Sequence, residues 1–473
     1  MRGLVWFKED LRITDNKALY YATQKCPDGI LAVYIIDRLL WKKHDVAACR
    51  IAFILRGLHQ LQQDLQELNI PLLCFEVSHS TEIAKKLLMI SAEYQLEALF
   101  FNRQYEVNES RRDQTIQKLL AAKAISCHSY DDQVILAPGA IKTQENSYFK
   151  IFTPFKRAWL KTFDLQGRIT LLPKIKPQPV IAVTTTEVPA NALRYANDLQ
   201  LQLWPAGEQA AKVHLKKFIA TSLFNYDQHR DFPALAGTSQ LSPYLTAGMI
   251  SVRQCFLDAL SKNQQHLESG NSGALTWMSE LIWREFYKHL LYAFPRLSMN
   301  QPFLLKTEAL PWSYNEKLLQ AWQLGNTGFP IVDAAMRQLS SLGWMHNRLR
   351  MIVAMFLARN LFLDWRLGER YFMQQLIDGD LAANNGGWQW CAATGADVAP
   401  YFRVFNPIRQ SERFDPDGSF IRQYCPELTA LSNKEIHNPW QRAPILAKKC
   451  GYPQAIVDLE SSKKQFIHAF KQL

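Results

Sequence analysis

The residues best suited to chemistry crowd between Asp364 and Asn406. Three tryptophans (Trp365, Trp388, Trp390), two carboxylates around a glycine (Asp378, Asp380), and the pairs Asn384–Asn385 and Gly386–Gly387 share that stretch. Asp, Asn and Gly disfavour helix, so a loop or a helix start is expected over 378–387. Aromatics and amides gathered at such a point suit a planar ligand with polar edges. Trp388 and Trp390, two residues apart, cannot face the same way on a helix. Either they line a ligand from two sides or one of them is core.

Three further constellations stand upstream. Glu280, Trp283 and Arg284 fall at i, i+3 and i+4, so they share one helical face. A carboxylate beside an indole and a guanidinium can bond a base-like edge and stack on its plane; the same residues suit an aromatic core stripe with an ion pair. In Gly237–Gly248, small hydroxyls just before a helix supply donors for phosphate or a plain helix cap. In Trp344–Met351, Arg348 and Arg350 project to different faces, serving two phosphate groups or a solvated basic face. His346 stands alone and is expected to be structural.

These residues need elements to hold them. Residues 1–130 alternate apolar runs with helical patterns. Strands are expected at Leu4–Phe7, Ile30–Ile36, Pro71–Val77, Leu96–Asn102 and Ser126–Tyr130, and helices at Arg50–Asn69, Thr81–Gln95 and Val107–Lys123. That alternation predicts an α/β domain with a parallel sheet. No G-x-G-x-x-G follows the first strand and no P-loop Lys is present. A ligand is expected at strand C-terminal ends, which carry Lys8-Glu9-Asp10, Asp37-Arg38 and Asn102-Arg103. Seven prolines then punctuate 131–205, read as a long connector in which Thr184–Thr186 is not helical and Tyr148–Phe163 is an ordered packing segment. The remainder reads as helical, at Glu208–Ser222, Ser251–Leu260, Gly273–Tyr292, Glu316–Leu324, Pro330–Leu342, His346–Arg359 and Leu367–Ile377. Pro330 at the first helical position and Gly343 just past the end mark the clearest helix. The expected division is 1–131, 132–204 and 205–473.

Composition sets the broad class. The 473 residues are 48% hydrophobic and 21% charged, as in ordinary globular proteins. There is no run of 18 apolar residues, and the N-terminus has no long apolar signal region, so an intracellular protein without membrane spans is expected. The eight cysteines are scattered and form no C-x-x-C; free thiols and no metal site are expected. Net charge is +11. Residues 1–130 carry 17 Lys+Arg against 15 Asp+Glu, so the excess lies downstream. That excess permits a polyanionic partner. Nine of the thirteen tryptophans lie beyond residue 204, fit for core or for stacking on bases.

Taken together, the motifs resemble the photolyase/cryptochrome family, and within it the class I cyclobutane pyrimidine dimer photolyases of bacteria. The resemblance runs from W-F-K-E-D-L-R-I-T-D-N (6–16) to F-D-P-D-G-S-F-I-R-Q-Y-C-P-E-L (414–428). Its most specific parts are W-R-E-F-Y (283–287), T-G-F-P-I-V-D-A-A-M-R-Q-L (327–339), W-M-H-N-R-L-R-M (344–351) and D-G-D-L-A-A-N-N-G-G-W-Q-W (378–390). It implies a Rossmann-like parallel sheet in the α/β domain, then the connector, then an all-α FAD-binding domain.

The resemblance also assigns residues. Tyr226 and Thr238, Ser239, Gln240, Leu241 and Ser242 would hold the flavin phosphates, with Gln240 in place of the more usual basic residue. Trp277, Glu280, Arg350, Asp378 and Asp380 would line the rest, and Asn384 would face flavin N5, where Asn favours repair over signalling. Ultraviolet-damaged DNA is the implied partner, with a flipped-out cyclobutane dimer between Trp283 and Trp390, near Glu280, Asn347 and Met351. Asn347, rather than His, argues for cyclobutane dimers. Arg230, Arg348 and Gln410 would contact DNA around the lesion. Reduced FAD (FADH−) would supply a light-driven electron to the dimer, and Trp388, Trp365 and Trp312 would relay electrons to oxidised flavin from the surface. His44, Asn108 and Glu109 resemble the site of a folate antenna (5,10-methenyltetrahydrofolate), although Ser298-Met299-Asn300 stands where folate-binding members carry a Lys. A monomer in the bacterial cytoplasm, nucleoid-associated on DNA, is implied. The rival expectation is a cryptochrome-type signalling flavoprotein without repair activity.

Overall fold

The protein is described from a computed structural model that covers residues 1–167, 169–183, 185–189 and 195–473. Thr184 lies outside the described residues. Contacts divide the chain into two compact units. One comprises Met1–Phe224, Ser239–Pro295 and Ile377–Asp380; the other comprises Asn225–Thr238, Arg296–Leu376 and Leu381–Leu473.

The first unit is built on five parallel strands, β1 Gly3–Phe7, β2 Ile30–Asp37, β3 Leu72–Val77, β4 Ala98–Asn102 and β5 Ser126–Tyr130, in the order β3-β2-β1-β4-β5. The central runs G-L-V-W-F and A-L-F-F-N are buried at every position, as strands covered on both faces must be. The helix Ala48–Gln66 buries Ile54, Leu58, Leu61 and Leu65 as its spacing predicted. Several short helices were not anticipated, two of them the next elements after β1 and β2. Lys17–Lys25 is capped by Asn16, whose side chain accepts from Leu19 N–H, and Arg38–Lys43 is capped by Asp37. The start of the connector is tied to the sheet by buried charges. Asp132 pairs with Arg12, and Arg253 Nη2 reaches Asp132 at 2.6 Å while its Nε reaches Asp15 at 2.8 Å. The packing segment expected over 148–163 is the helix Phe152–Leu165.

The second unit is helical. Pro330–Leu342 runs as expected, with Gly343 left-handed (φ 66°) just beyond it. The stretch expected as one helix from His346 to Arg359 instead begins at Asn347, is α-helical to Met355, and widens into a π-helical turn over Phe356–Asn360. That turn brings the buried Arg359 guanidinium to the carbonyls of Cys391, Pro400 and Arg403 at 2.5, 3.0 and 2.9 Å.

Residues 378–380 are non-helical and a helix starts at Leu381, inside the stretch where a loop or a helix start was expected; Leu381–Ala392 then carries Asn384, Asn385, Gly386 and Gly387 inside it. Tertiary contacts override the weak propensity. Asn385 Nδ2 donates to buried Glu369 at 2.9 Å, and Gln389 Nε2 donates to Asn385 Oδ1 at 2.8 Å. Gly368 matters to the same packing, because a Cβ there would sit 2.1 Å from the Trp388 ring.

Candidate functional site

In the first unit, the helix Ser272–Ala293 carries Trp277, Glu280 and Trp283. Trp277 is buried against Phe218, ring centroids 5.0 Å apart. Glu280 and Trp283 are half-buried. Arg284, grouped with them by helical spacing, turns away: its Nη1 donates to the Gln133 carbonyl at 2.6 Å. It therefore serves the connector, as a structural partner of that face.

The hydroxyl-rich segment does not cap a helix. The short helix Ser242–Thr246 follows Leu241, with no side-chain capping bond. Ser239 Oγ accepts from Leu241 N–H at 3.5 Å, and Gln240 is left-handed at φ 51°. Thr238, Ser239 and Ser242 are partly exposed, whereas Leu241 is buried and Gln240 is exposed.

Asp378 and Asp380 lie in this unit too. Lys288, which is fully buried, bonds Asp380 Oδ2 at 2.6 Å and reaches Glu106 at 3.7 Å. Burial pushes the Lys288 ammonium down, but Asp380 and Glu106 outweigh it and hold it above its ordinary value. The Asp378 carbonyl accepts from Thr246 Oγ1 at 3.5 Å.

The antenna candidates form a third cluster here. His44 Nδ1 is 3.5 Å from Glu109 Oε1, and Asn108 is exposed beside them on the same helix as Glu109. Burial pushes the Glu106 carboxyl up to about 7 and also raises that of Glu109. Each keeps one oxygen, Oε2, buried without a hydrogen-bond partner. Two buried carboxylates with unmet acceptors suit a ligand edge that presents N–H groups.

In the second unit, Asn384 has a fixed orientation. Its Nδ2 donates to the Glu369 carbonyl at 3.0 Å, which leaves Oδ1 as the open end. One turn on, a Cβ added at Gly387 would meet no atom within 4 Å. With Nδ2 engaged, the amide oxygen is the group of Asn384 that remains to accept a hydrogen bond. Beneath it, burial pushes the Glu369 carboxyl up to about 7, against the Asn385 bond.

Trp388, Trp365 and Trp312 belong to one continuous core. Trp388 meets Phe372 at 5.0 Å and Trp322 at 6.0 Å, both edge-on. Trp365 is wholly buried with Arg366 over its ring at 5.0 Å, and Trp312 is 9% exposed. The indole N–H groups of Trp388 and Trp312 are buried with no acceptor.

The candidate DNA residues also gather. Asp231 accepts from Arg348 Nη2 at 2.8 Å and lies 3.9 Å from Arg230. Arg348 rests 4.4 Å above Phe414, the last residue of the helix Pro407–Phe414 that carries Gln410. Gln410 Oε1 is buried and unpartnered. Arg230 in turn covers the ring of Tyr226 at 5.5 Å. Arg350 diverges from Arg348, with Nε on the Met345 carbonyl at 2.8 Å. Met351 and the half-buried Trp390 pack on the same core, and the Met351 carbonyl lies 3.8 Å from Cys391 Sγ. Asn347 is exposed at its helix start. His346 is structural as expected: its Nδ1 accepts from Arg348 N–H at 3.2 Å, and burial pushes it down to about 4.

Residues 3–179 match the family described as DNA photolyase, and residues 277–472 match the FAD binding domain of DNA photolyase. The deoxyribodipyrimidine photo-lyase of Salmonella typhimurium is 46% identical over 99% of this chain and 98% of its own length. This chain belongs to the DNA photolyase family. Among solved structures, a bacterial class III photolyase from Agrobacterium tumefaciens aligns with a TM-score of 0.88 at 33% identity, covering 100% of this chain and 97% of that one. A cryptochrome from Synechocystis sp. aligns with a TM-score of 0.87 at 26% identity, over 99% of each. The photolyase architecture expected from the sequence, a parallel α/β sheet followed by helices, is the one present.

Motif reasoning passed over Phe152, Lys288, Glu369 and Glu106. Lys288 sits one residue beyond the W-R-E-F-Y motif and Glu106 two before Asn108, so proximity was the only available signal. Glu369 lies in an unremarkable R-L-G-E-R run, and its partner Asn385 is found only through packing.

Proposed function

We propose that this chain repairs cyclobutane pyrimidine dimers in DNA, using light and bound FAD. It is a carbon–carbon lyase: the cyclobutane ring opens and no net redox change results. Bound FAD supplies the light-driven electron. The observation that carries the reading is the fixed amide of Asn384, whose Nδ2 is held by the Glu369 carbonyl at 3.0 Å, so that the oxygen is the acceptor left on it. An uncharged acceptor at that point favours a protonated N5 without adding negative charge. Overall identity also leans the same way, at 46% to a named photo-lyase against 26% to a cryptochrome.

The chain's own residues then divide the work. Tyr226, Thr238, Ser239, Gln240, Leu241 and Ser242 bind the flavin phosphates; Trp277, Arg350, Asp378 and Asp380 orient the rest, with Lys288 holding Asp380 in place at 2.6 Å. Glu280 hydrogen-bonds a pyrimidine edge, Trp283 and Trp390 pack on the two rings, and Asn347 and Met351 complete the contact. Arg230, Arg348 and Gln410 grip the DNA, with Asp231 setting the two guanidiniums. Trp388, Trp365 and Trp312 return electrons to oxidised flavin. The unmet Oε2 atoms of Glu106 and Glu109, with His44 and Asn108, support a folate antenna held by its ring N–H groups. We further propose the three-part division 1–131, 132–204 and 205–473, a monomer, and a cytoplasmic, nucleoid-associated location. No helix among the described residues is long and apolar enough to cross a membrane.

The test mixes photoreduced protein with ultraviolet-irradiated oligo(dT) under blue light. Thymine absorbance should recover under light and stay flat in the dark. No recovery under light sinks the repair reading and favours a signalling flavoprotein.

A further inference from the structure

The connector helix Phe152–Leu165 builds part of the face that carries Glu280 and Trp283. The Phe152 ring lies flat on the Trp283 indole, with centroids 3.6 Å apart and planes 11° from parallel. Its remaining side is closed by Phe286 at 5.9 Å, edge-on, and Phe286 is itself braced by Phe155 at 5.1 Å. Phe152 is buried, so close packing restricts its ring. Trp283 is further flanked by Tyr287 at 5.7 Å.

The two helices are keyed together by Glu285, which is 1% exposed. Its carboxylate accepts from Trp159 Nε1 at 2.6 Å, from Ile135 N–H at 2.7 Å and from Leu136 N–H at 2.8 Å. One turn beyond Phe152, on the same face, Lys156 is lowered by burial yet feels the Glu280 charge, which favours its ammonium form.

An indole stacked on one side has only its other face and its edge to offer, and its plane is set before any ligand arrives. We propose that Phe152 is a positioning residue for lesion recognition: it holds the plane of Trp283 so that one indole face is presented to a flipped pyrimidine. This rests on the reading that Trp283 packs against the dimer. Preorganisation of this kind raises affinity by removing an ordering cost at binding.

The experiment uses the full FAD-loaded chain with Phe152→Met, which fills the space without a flat face, Phe152→Tyr, which keeps one, and Trp283→Ala. Affinity for irradiated and unirradiated oligo(dT) is measured with kcat, KM, flavin content and melting temperature. Phe152→Met should weaken binding of irradiated DNA and raise KM by roughly two- to tenfold, the range of one aromatic pair. Affinity for unirradiated DNA, kcat and flavin content should hold, and Phe152→Tyr should restore the wild-type preference. An unchanged preference for irradiated DNA in Phe152→Met overturns the proposal, as does an equal loss for both DNAs. Should Trp283→Ala leave dimer binding intact, the premise about Trp283 fails and the proposal falls with it. Should Trp283→Ala weaken binding while Phe152→Met does not, only the positioning role falls.

Discussion

The two units treat buried polar groups differently. In the first, the buried charges around the sheet meet charges of opposite sign, Arg12 and Arg253 with Asp132, Arg253 with Asp15, Lys8 with Asp113 at 2.7 Å, although Glu285 is held by N–H groups alone. In the second, Asp364 still meets Arg366 at 3.2 Å, but other buried groups meet dipoles or nothing. Arg359 is surrounded by carbonyls, Asp333 accepts from Thr327 and Gly328 N–H groups, Glu369 has a neutral amide, and the Trp388 N–H has no acceptor. Opposite charges in a low-dielectric interior hold each other ionised and lock one arrangement. Groups balanced only by dipoles have shifted titrations: burial pushes Arg359 down to about 10 and Glu369 up to about 7. The first pattern secures a fold, and the second leaves groups whose protonation is more easily changed.

Four outcomes would break or sharpen that contrast, ordered by their expected effect on stability. Arg253→Met leaves Asp15 as a buried charge without a cationic partner and Asp132 with Arg12 alone, and should cost about 3–5 kcal/mol in chemical denaturation; a loss below about 1 kcal/mol would mean that the pairs contribute little. Trp388→Phe should cost only about 1–2 kcal/mol, because no bonded N–H is lost and the ring partly refills the site. It should nevertheless slow photoreduction of oxidised flavin severely while sparing repair by enzyme already reduced. Equal loss of both activities would count against an electron-relay role.

The third outcome concerns pH. Glu369 is raised in the folded state, so its stabilising effect is complete below the ordinary carboxyl range and is lost as pH climbs through about 7. Stability should therefore fall between about pH 5 and 7, at up to about 1.4 kcal/mol per unit, then level off. Glu369→Gln should flatten that limb. Asp132 behaves oppositely: burial pushes it up, but Arg12 and Arg253 prevail and hold it at about 2. Its contribution is present above the ordinary range and is lost only as pH falls through about 2, so denaturation near neutral pH should not sense it. A Glu369→Gln protein with an unchanged pH curve would refute the Glu369 assignment. The smallest structural effect is expected from half-buried Glu280→Ala. Stability and flavin content should change little, whereas repair should drop about tenfold through loss of one charge-assisted hydrogen bond. Loss of flavin instead would make Glu280 a structural residue.

Much of this was legible locally. Apolar runs placed all five strands to within a few residues, and Pro330 with Gly343 bounded their helix, because burial and capping write a short-range pattern. Four motifs in order identified the family. A helix start within 378–387 was legible, but its bonding was not, since the contacts that hold Asn384 and Asn385 come from Glu369 and Gln389. The partner of Arg284 and the stacking of Phe152 on Trp283 were hidden for the same reason, their partners being more than a hundred residues away.

The sequence by itself determined the residue inventory: a parallel α/β sheet, a helical remainder, tryptophans and amides in a recognisable order. Tertiary structure alone decided orientation. It turned Asn384 so that its oxygen is the open end, sent Arg284 to a backbone carbonyl, and closed one face of Trp283. Residue type sets what a group can donate, accept or stack on, but only packing against distant chain sets which atom is left available.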